Sequence, residues 1–438
     1  MGKQFLEIRE KEVVIKMIVD FREKLAKTIA AESEKVAEAL GRIVSSDIFS
    51  ALDIPPFDRS TMDGYAVVAS DTFYSDENNP SSLIITDYIP AGELPSQQVE
   101  KGYCSGISTG APLPKGANAV VKVENCFEYV SEMAVEGEVK KIKKVKIYKP
   151  VAPAENIMIA GSDIKRGEKI VRTGTSLTPR ETGVLAACGI KEVFVRKKPS
   201  VAIISTGNEV IAPGEDLKPG KIYDVNAQTL SDSVRDCDCR PLFLGIAEDN
   251  IDGISGMIKE SLGKGVDVIL VSGGTSAGAG DLLPVAIEEL GEILVHGVDI
   301  KPGKPFIFGI LHAKHVPVFG LPGNPTSALI TFHLFVAPLL RAISGHKGEE
   351  VVGESRIVKS ISAKAGLRIL SEPGRNEYVL VNVVKEKLPA ENFFVYPILT
   401  GSGAITTLSK ADGYVFVEKG KEIIGEGEEV KVELFIYY

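Results

Sequence analysis

Short apolar runs rich in β-branched residues alternate with amphipathic stretches through the centre of the chain. The runs are Val201-Ala202-Ile203-Ile204, Leu242-Phe243-Leu244-Gly245-Ile246, Val266-Asp267-Val268-Ile269-Leu270-Val271 and Val316-Pro317-Val318-Phe319-Gly320. Runs this short, bounded by turn residues, predict strands buried on both faces. Helical spacing follows each of them, from Asn226 to about Cys237, from Ile254 to Leu262, from Leu283 to Leu290 and from Pro325 to about Ser344. Strand and helix in strict turn predict a doubly wound parallel sheet.

The pattern changes on either side. Val14, Met17, Ile18, Phe21 and Leu25 lie on one helical face, which predicts an opening helix. A second helix is predicted over Ser33 to Leu40, with Gly41 as its stop. From about Leu83 to Ile147 the apolar period is two, best seen in Val120 to Val123 and Val139 to Ile147, and a small β domain is expected. The lysines of the second stretch read as a solvated face or a guarded edge. Pro150 to Arg196 is mixed, with Thr178 and Glu181 at capping-box spacing. Beyond about Gly348 the strand period returns in Glu377 to Val384, Tyr414 to Val417 and Glu429 to Leu434, which fits a small barrel or sandwich.

Composition narrows the classes. A chain of 438 residues has room for about three domains. The formal net charge of −9 argues against a nucleic-acid partner. No apolar run is read as long enough to span a bilayer, and Met1 to Glu7 lacks the apolar core of a signal peptide. Cys104, Cys126, Cys188, Cys237 and Cys239 have no metal-type spacing, so idle thiols in a reducing cytoplasm are expected.

Candidate chemistry gathers in the loops. After the third run comes Ser272-Gly273-Gly274-Thr275-Ser276-Ala277-Gly278-Ala279-Gly280-Asp281, a loop whose missing side chains let backbone approach a ligand. It has neither Walker nor dinucleotide-fingerprint spacing. Ile300-Lys301-Pro302-Gly303-Lys304-Pro305 places two cations on a turn, and Leu321-Pro322-Gly323-Asn324-Pro325 opens a helix whose start favours an anion. Glu209, Asp249 and Asp281 each follow a strand, so they can converge on the ligand edge of the sheet. These features together point to an anionic, phosphorylated ligand with a divalent metal. Upstream, Pro56-Phe57-Asp58-Arg59-Ser60-Thr61-Met62-Asp63-Gly64-Tyr65-Ala66 is richer in acids and hydroxyls than a connector requires.

Those stretches, with Thr109-Gly110-Ala111-Pro112 and Ser205-Thr206-Gly207-Asn208-Glu209, resemble the molybdopterin molybdenumtransferase family, relatives of the gephyrin E-domain. The resemblance covers nearly the whole chain in the family's order. It implies an elongated homodimer with a linking domain (1–50 and 149–196), an inserted β domain (51–148), a molybdopterin-binding α/β domain (197–347) and a C-terminal β-barrel (348–438). It implies a cytoplasmic enzyme that takes adenylylated molybdopterin and molybdate, cleaves the pyrophosphate link with Mg²⁺ and releases AMP. In the family, the cleft lies between the α/β domain of one subunit and the β domain of the other. Tungstate is an equal alternative to molybdate, and the upstream adenylyltransferase is a further candidate partner.

Carried over residue by residue, the resemblance assigns Asp281, Glu209 and Asp249 to metal and catalysis, with Asp281 first for the metal. Asp58, Asp63, Thr109 and Asp163 would close the catalytic site. Ser205, Thr206, Gly207, Ser272, Gly273, Gly274, Ser276, Lys301, Lys304, Pro322, Gly323, Asn324 and Pro325 would bind substrate, and Ser327, Arg375 and Ser402 would contact the oxyanion. Two departures stand out. Ile157, Met158 and Ile159 occupy positions where the family often carries arginines, and Arg59 stands where relatives often carry Asn. Arg59 either adds a cation to the cleft or pairs with a nearby acid. The competing functions are a molybdopterin adenylyltransferase, which shares the α/β domain but lacks the Asp58 to Ala66 stretch and the barrel, and a non-enzymatic scaffold.

Overall fold

The computed structural model of the protein describes residues 7–26, 29–135, 138–275, 282–346, 360–386, 393–399, 401 and 403–435. They fall into two compact units, one of 1–32 with 196–438 and one of 33–195.

The first unit is built on a six-stranded sheet in the order Arg240–Ala247, Ser200–Thr206, Val268–Ser272, Pro317–Leu321, Ile307–Leu311, Gly291–His296. The first four strands are parallel, and the last two run antiparallel to their neighbours. The doubly wound sheet is therefore parallel at its centre and closed on one side by a hairpin-like pair that the sequence reading did not anticipate. Val268–Ser272 and Pro317–Leu321 are buried along their whole length, as strands covered on both faces must be. Alternate residues serve opposite cores. Ile203, Leu270 and Phe319 point to one side with Leu230 and Leu340, while Ile204, Ile269 and Val318 point to the other with Ile258 and Leu283.

The opening helix, Lys11–Ala26, sends Val14 and Ile18 into the first of these cores. Its partly buried Ile15, Met17, Phe21 and Leu25 pack against the same core. The expected helix after Pro325 is three pieces in series: Pro325–Thr331, a π turn at Phe332–Val336, and Ala337–Ser344. Gly345, at φ +100°, ends it. This 20-residue run is long and apolar enough to cross a membrane, contrary to the sequence reading, but 78% of its apolar window is buried in the unit. It is a core helix.

Asn376–Lys385, Phe393–Pro397, Ser360–Ala365, Glu429–Leu434 and Gly413–Val417 pair in that order, and the last returns to the first. They form a closed five-stranded barrel filled by Val381, Val395, Val415 and Val432. Ile300–Lys301 adds to it in parallel beside Asn376–Glu377.

The second unit carries a six-stranded sheet in the order Ala119–Lys122, Gly64–Val67, Tyr103–Ile107, Ser81–Ile89, Glu138–Ile147, Cys126–Val135. The capping box at Thr178 forms as expected and starts the helix Pro179–Ala187. The helix expected over Ser33 to Leu40 does not form. Ala31–Lys35 is a strand with alternating exposure, and Val36–Glu38 is a single 3-10 turn. Ala31–Lys35 pairs with Glu192–Arg196, and the Val36 amide is taken by the Lys191 carbonyl across the chain.

Candidate substrate site

Four parallel strands end together at one edge of the α/β sheet, where an open sheet binds its ligands. Register fixes the neighbours: Ser205 lies beside Ser272, Thr206 beside Ala247, and Ser272 beside Leu321. The Thr206-Gly207 turn, Asp249, the Ser272-Gly273-Gly274 turn and the Pro322-Gly323-Asn324 turn therefore share that edge. The Thr206 hydroxyl donates to Asp249 Oδ1 at 3.2 Å and holds the carboxylate there. Gly273 has φ +98°, and a Cβ on it would lie 2.4 Å from the Thr206 carbonyl oxygen. Its amide donates to the Leu321 carbonyl at 3.0 Å. A glycine is thus required for the two loops to meet.

Asn226 joins the same loops from below. Its Nδ2 donates to Ser272 Oγ and to the Gly323 carbonyl, both at 2.8 Å. In the sequence Asn226 marks only a helix start, and no local signal marks a side chain that bonds 46 and 97 residues away. Nearby, Asp224 Oδ1 accepts the Ala227 amide at 2.9 Å and starts the helix. Ser205 Oγ, Asp224 Oδ2 and Asn226 Oδ1 are buried and find no hydrogen-bond partner among the described residues. Buried acceptors of this kind are rare away from ligands or bound water.

The two lysines of the 301–304 turn differ. Lys301 Nζ pairs with Glu372 at 2.8 Å and Glu377 at 3.0 Å, across the junction with the barrel. Burial pulls its pKa down, but the two carboxylates more than offset this and hold it above the ordinary lysine value. Lys304 has no ion-pair partner among the described residues, so its ammonium is open to an anion. Arg375 is exposed in the turn that leads into Asn376–Lys385. Pro322 and Ser327 are buried, while Gly323 and Asn324 are exposed. The Asn324 side chain makes no capping hydrogen bond to the helix at Pro325. Glu209 is exposed and its carboxylate lies over Gly207. Ser276, Asp281 and Ser402 lie outside the described residues.

In the second unit the structure brings three separate motifs into one cluster. Asp58 Oδ1 accepts the Ala160 amide at 2.8 Å, and the Asp58 carbonyl accepts the Leu113 amide. Asp63 Oδ1 accepts both the amide (2.7 Å) and the hydroxyl (3.1 Å) of Thr109. The Thr61 amide reaches the Asn156 carbonyl, and the Asp163 amide reaches that of Ile54. Gly64 sits where a Cβ would lie 1.9 Å from the Val121 carbonyl oxygen, so the Asp63-Gly64 pair cannot carry a side chain at its second position. Asn156 adopts φ +57° and its side chain donates to the Val120 carbonyl at 2.8 Å. Asp58, Asp63, Thr109 and Asp163 are all exposed on this cluster.

Three family descriptions match the chain in order: the MoeA N-terminal region (domains I and II) over 11–189, a molybdopterin binding domain over 202–342, and the MoeA C-terminal region (domain IV) over 362–435. A molybdopterin biosynthesis protein of Methanocaldococcus jannaschii is 34% identical, over 91% of this chain and 91% of its own length. The molybdopterin molybdenumtransferase of Bacillus subtilis is 31% identical, over 92% of this chain and 90% of its own. The chain belongs to the molybdopterin molybdenumtransferase family. Its members are transferases of molybdenum-cofactor biosynthesis, and so is this protein. A solved molybdopterin biosynthesis MoeA structure from Pyrococcus horikosii is 38% identical and superposes with a TM-score of 0.81, covering 99% of this chain and all of its own. The mixed sheet and the barrel described above are thus this family's architecture.

Proposed function

We propose that the protein takes adenylylated molybdopterin and molybdate or tungstate, cleaves the pyrophosphate link, releases AMP and leaves the metal on the dithiolene. The observation that carries this reading is the convergence at one sheet edge of a close-packed glycine turn and an Asp249 held by Thr206, with Lys304 as an open cation in the same unit. A pyrophosphate presents a dense negative charge. The Gly273-Gly274 backbone lets it approach closely, and the Lys304 ammonium supplies a compensating charge.

Mg²⁺ fits the donor set in one specific form. No group of three or more metal-ligating side chains occurs among the described residues. A Mg²⁺ ion keeps several waters and needs only one or two carboxylates. Asp249, fixed by Thr206, and Glu209 offer such hard oxygens after neighbouring strands, and Asp281 would add a third. When bound, Mg²⁺ polarises phosphoryl oxygens and eases ionisation of water. The chain's own share is to hold the phosphates on the glycine turn, to keep Asp249 oriented through the Thr206 hydroxyl, and to present Lys304 to the charge that develops on the leaving AMP.

The test is AMP release from purified adenylylated molybdopterin, with and without Mg²⁺ and with and without each oxyanion, for wild type, Asp249→Ala and Asp281→Ala. Release that needs Mg²⁺, rises with the oxyanion and collapses in both variants is expected. No release from folded wild type would remove the reading. The oxyanion giving the faster release identifies the metal used. We further propose a homodimer, which light scattering on the eluted protein would verify.

A further inference from the structure

Arg59 has an unusual neighbourhood for a guanidinium. It lies in the two-residue strand Arg59–Ser60, in register with Met158 of Ile157–Met158, and bridges Pro112 on its other side. Its Nη2 meets Met158 Sδ at 3.4 Å. A thioether is a weak, neutral acceptor, whereas the guanidinium carries a permanent charge and five donors in a planar fork. The side chain is half-buried, and among the described residues no carboxylate pairs with it. The two acids closest in sequence are turned to backbone, Asp58 to the Ala160 amide and Asp63 to Thr109. Of the two roles open to Arg59 on sequence grounds, pairing with a nearby acid is therefore not the one the fold uses.

The surroundings are those of a recognition surface. Phe57, Met62 and Ile159 belong to the same loops and leave large apolar side chains exposed. These loops are stitched by backbone hydrogen bonds, so the guanidinium rides on a fixed frame. An uncompensated arginine beside apolar walls, on a protein of net charge −9, is a site for a compact anion.

We propose that Arg59 grips a tetrahedral oxyanion of the substrate at the Asp58 to Asp63 loop, either a phosphate of the dinucleotide or the metal oxyanion. The proposal rests on the reaction proposed above, because that reaction supplies the two anions. Arg59 makes this contact in place of any cation from the neighbouring strand, whose residues 157–159 are all apolar.

The experiment measures binding of molybdate alone and of pyrophosphate alone to the full chain by titration calorimetry, for wild type, Arg59→Lys and Arg59→Met. AMP-release kinetics on the same three proteins supply KM for each substrate. Loss of a charge-assisted fork should weaken one probe by about tenfold or more in Arg59→Met, with Arg59→Lys in between because it keeps the charge but not the geometry. The weakened probe names the anion, and the matching KM should rise with little change in kcat. Circular dichroism and urea unfolding of the variants exclude a folding defect. Unchanged affinity for both probes in Arg59→Met, or no binding of either to wild type, would overturn the proposal. Failure of the proposed reaction would look different: wild type would release no AMP while the Arg59-dependent anion binding persisted.

Discussion

Replacing Asn226 tests whether two ligand loops are held by one side chain. Asn226→Ala removes two hydrogen bonds, to Ser272 Oγ and to the Gly323 carbonyl. Each contributes about 1 kcal/mol net. Gly323 is exposed, so water can replace the lost donor there, whereas Ser272 is buried and loses its partner without replacement. The balance is a destabilisation of about 1–2 kcal/mol. Asn226→Asp keeps the volume but turns both donors into acceptors and puts a charge against the Gly323 carbonyl. The Ser272 hydroxyl can turn to donate to it, but the Gly323 carbonyl cannot, and a buried charge left only partly hydrogen-bonded costs about 3 kcal/mol. The expected order of stability is therefore wild type, then Ala, then Asp, even though Asp is the closer isostere. Hydrogen exchange of the amides in the helix Asn226–Asp236 and at Gly273 reports this unit directly. An Asp variant as protected as wild type, or an Ala variant that leaves Gly273 exchange unchanged, would refute the reasoning.

Other substitutions separate roles within the same unit. Gly273→Ala must displace a loop, since its Cβ would sit 2.4 Å from the Thr206 carbonyl at φ +98°; a loss of about 2 kcal/mol or more is expected in denaturant unfolding, with substrate binding lost. Lys304→Ala should weaken pyrophosphate binding with little effect on stability. Lys301→Ala should do the reverse, because it leaves Glu372 and Glu377 without their shared cation, and thermal unfolding beside a binding titration distinguishes the two. His333 is half-buried between Phe332 and Phe435, and desolvation, with the Arg341 charge, pushes its pKa down to about 3. The unfolded state binds a proton that the folded state refuses, so stability is complete above the ordinary value of 6.5 and falls as the pH drops towards about 3. His333→Gln should flatten the dependence of unfolding free energy on pH in that window, and an unchanged slope would contradict the assignment.

The legible parts of the fold were those set by local pattern. The buried strands at Val201 and Val268 announce themselves because both faces are covered and polar residues have no place in them. The loops after them were legible as ligand loops because small residues cluster where strands end. What stayed hidden depends on distant partners. Asn226 reads as a helix start, yet its function lies in bonds to Ser272 and Gly323. Lys301 reads as a free cation, and only the barrel's Glu372 and Glu377 show that its charge is taken. The stretch from Ser33 to Leu40 has residues compatible with a helix, but the Lys191 carbonyl drew it into a strand and turn. The π turn at Phe332–Val336 had no signature, since its residues suit an α-helix equally well. In the second unit, Asp58, Thr109 and Asp163 were identified through resemblance; their shared cluster follows from backbone hydrogen bonds that no sequence pattern encodes.

The proposed reaction couples metal transfer to cleavage of the adenylylated substrate. The most direct measurement follows a single turnover with excess enzyme, Mg²⁺ and the oxyanion. AMP is quantified by chromatography, and metal in the pterin product is quantified by mass spectrometry. The account predicts that AMP and metal-bearing product appear in equal amounts and that both disappear together in Asp249→Ala. AMP formed without metal in the product, or consumption of ATP in place of the adenylylated substrate, would contradict it.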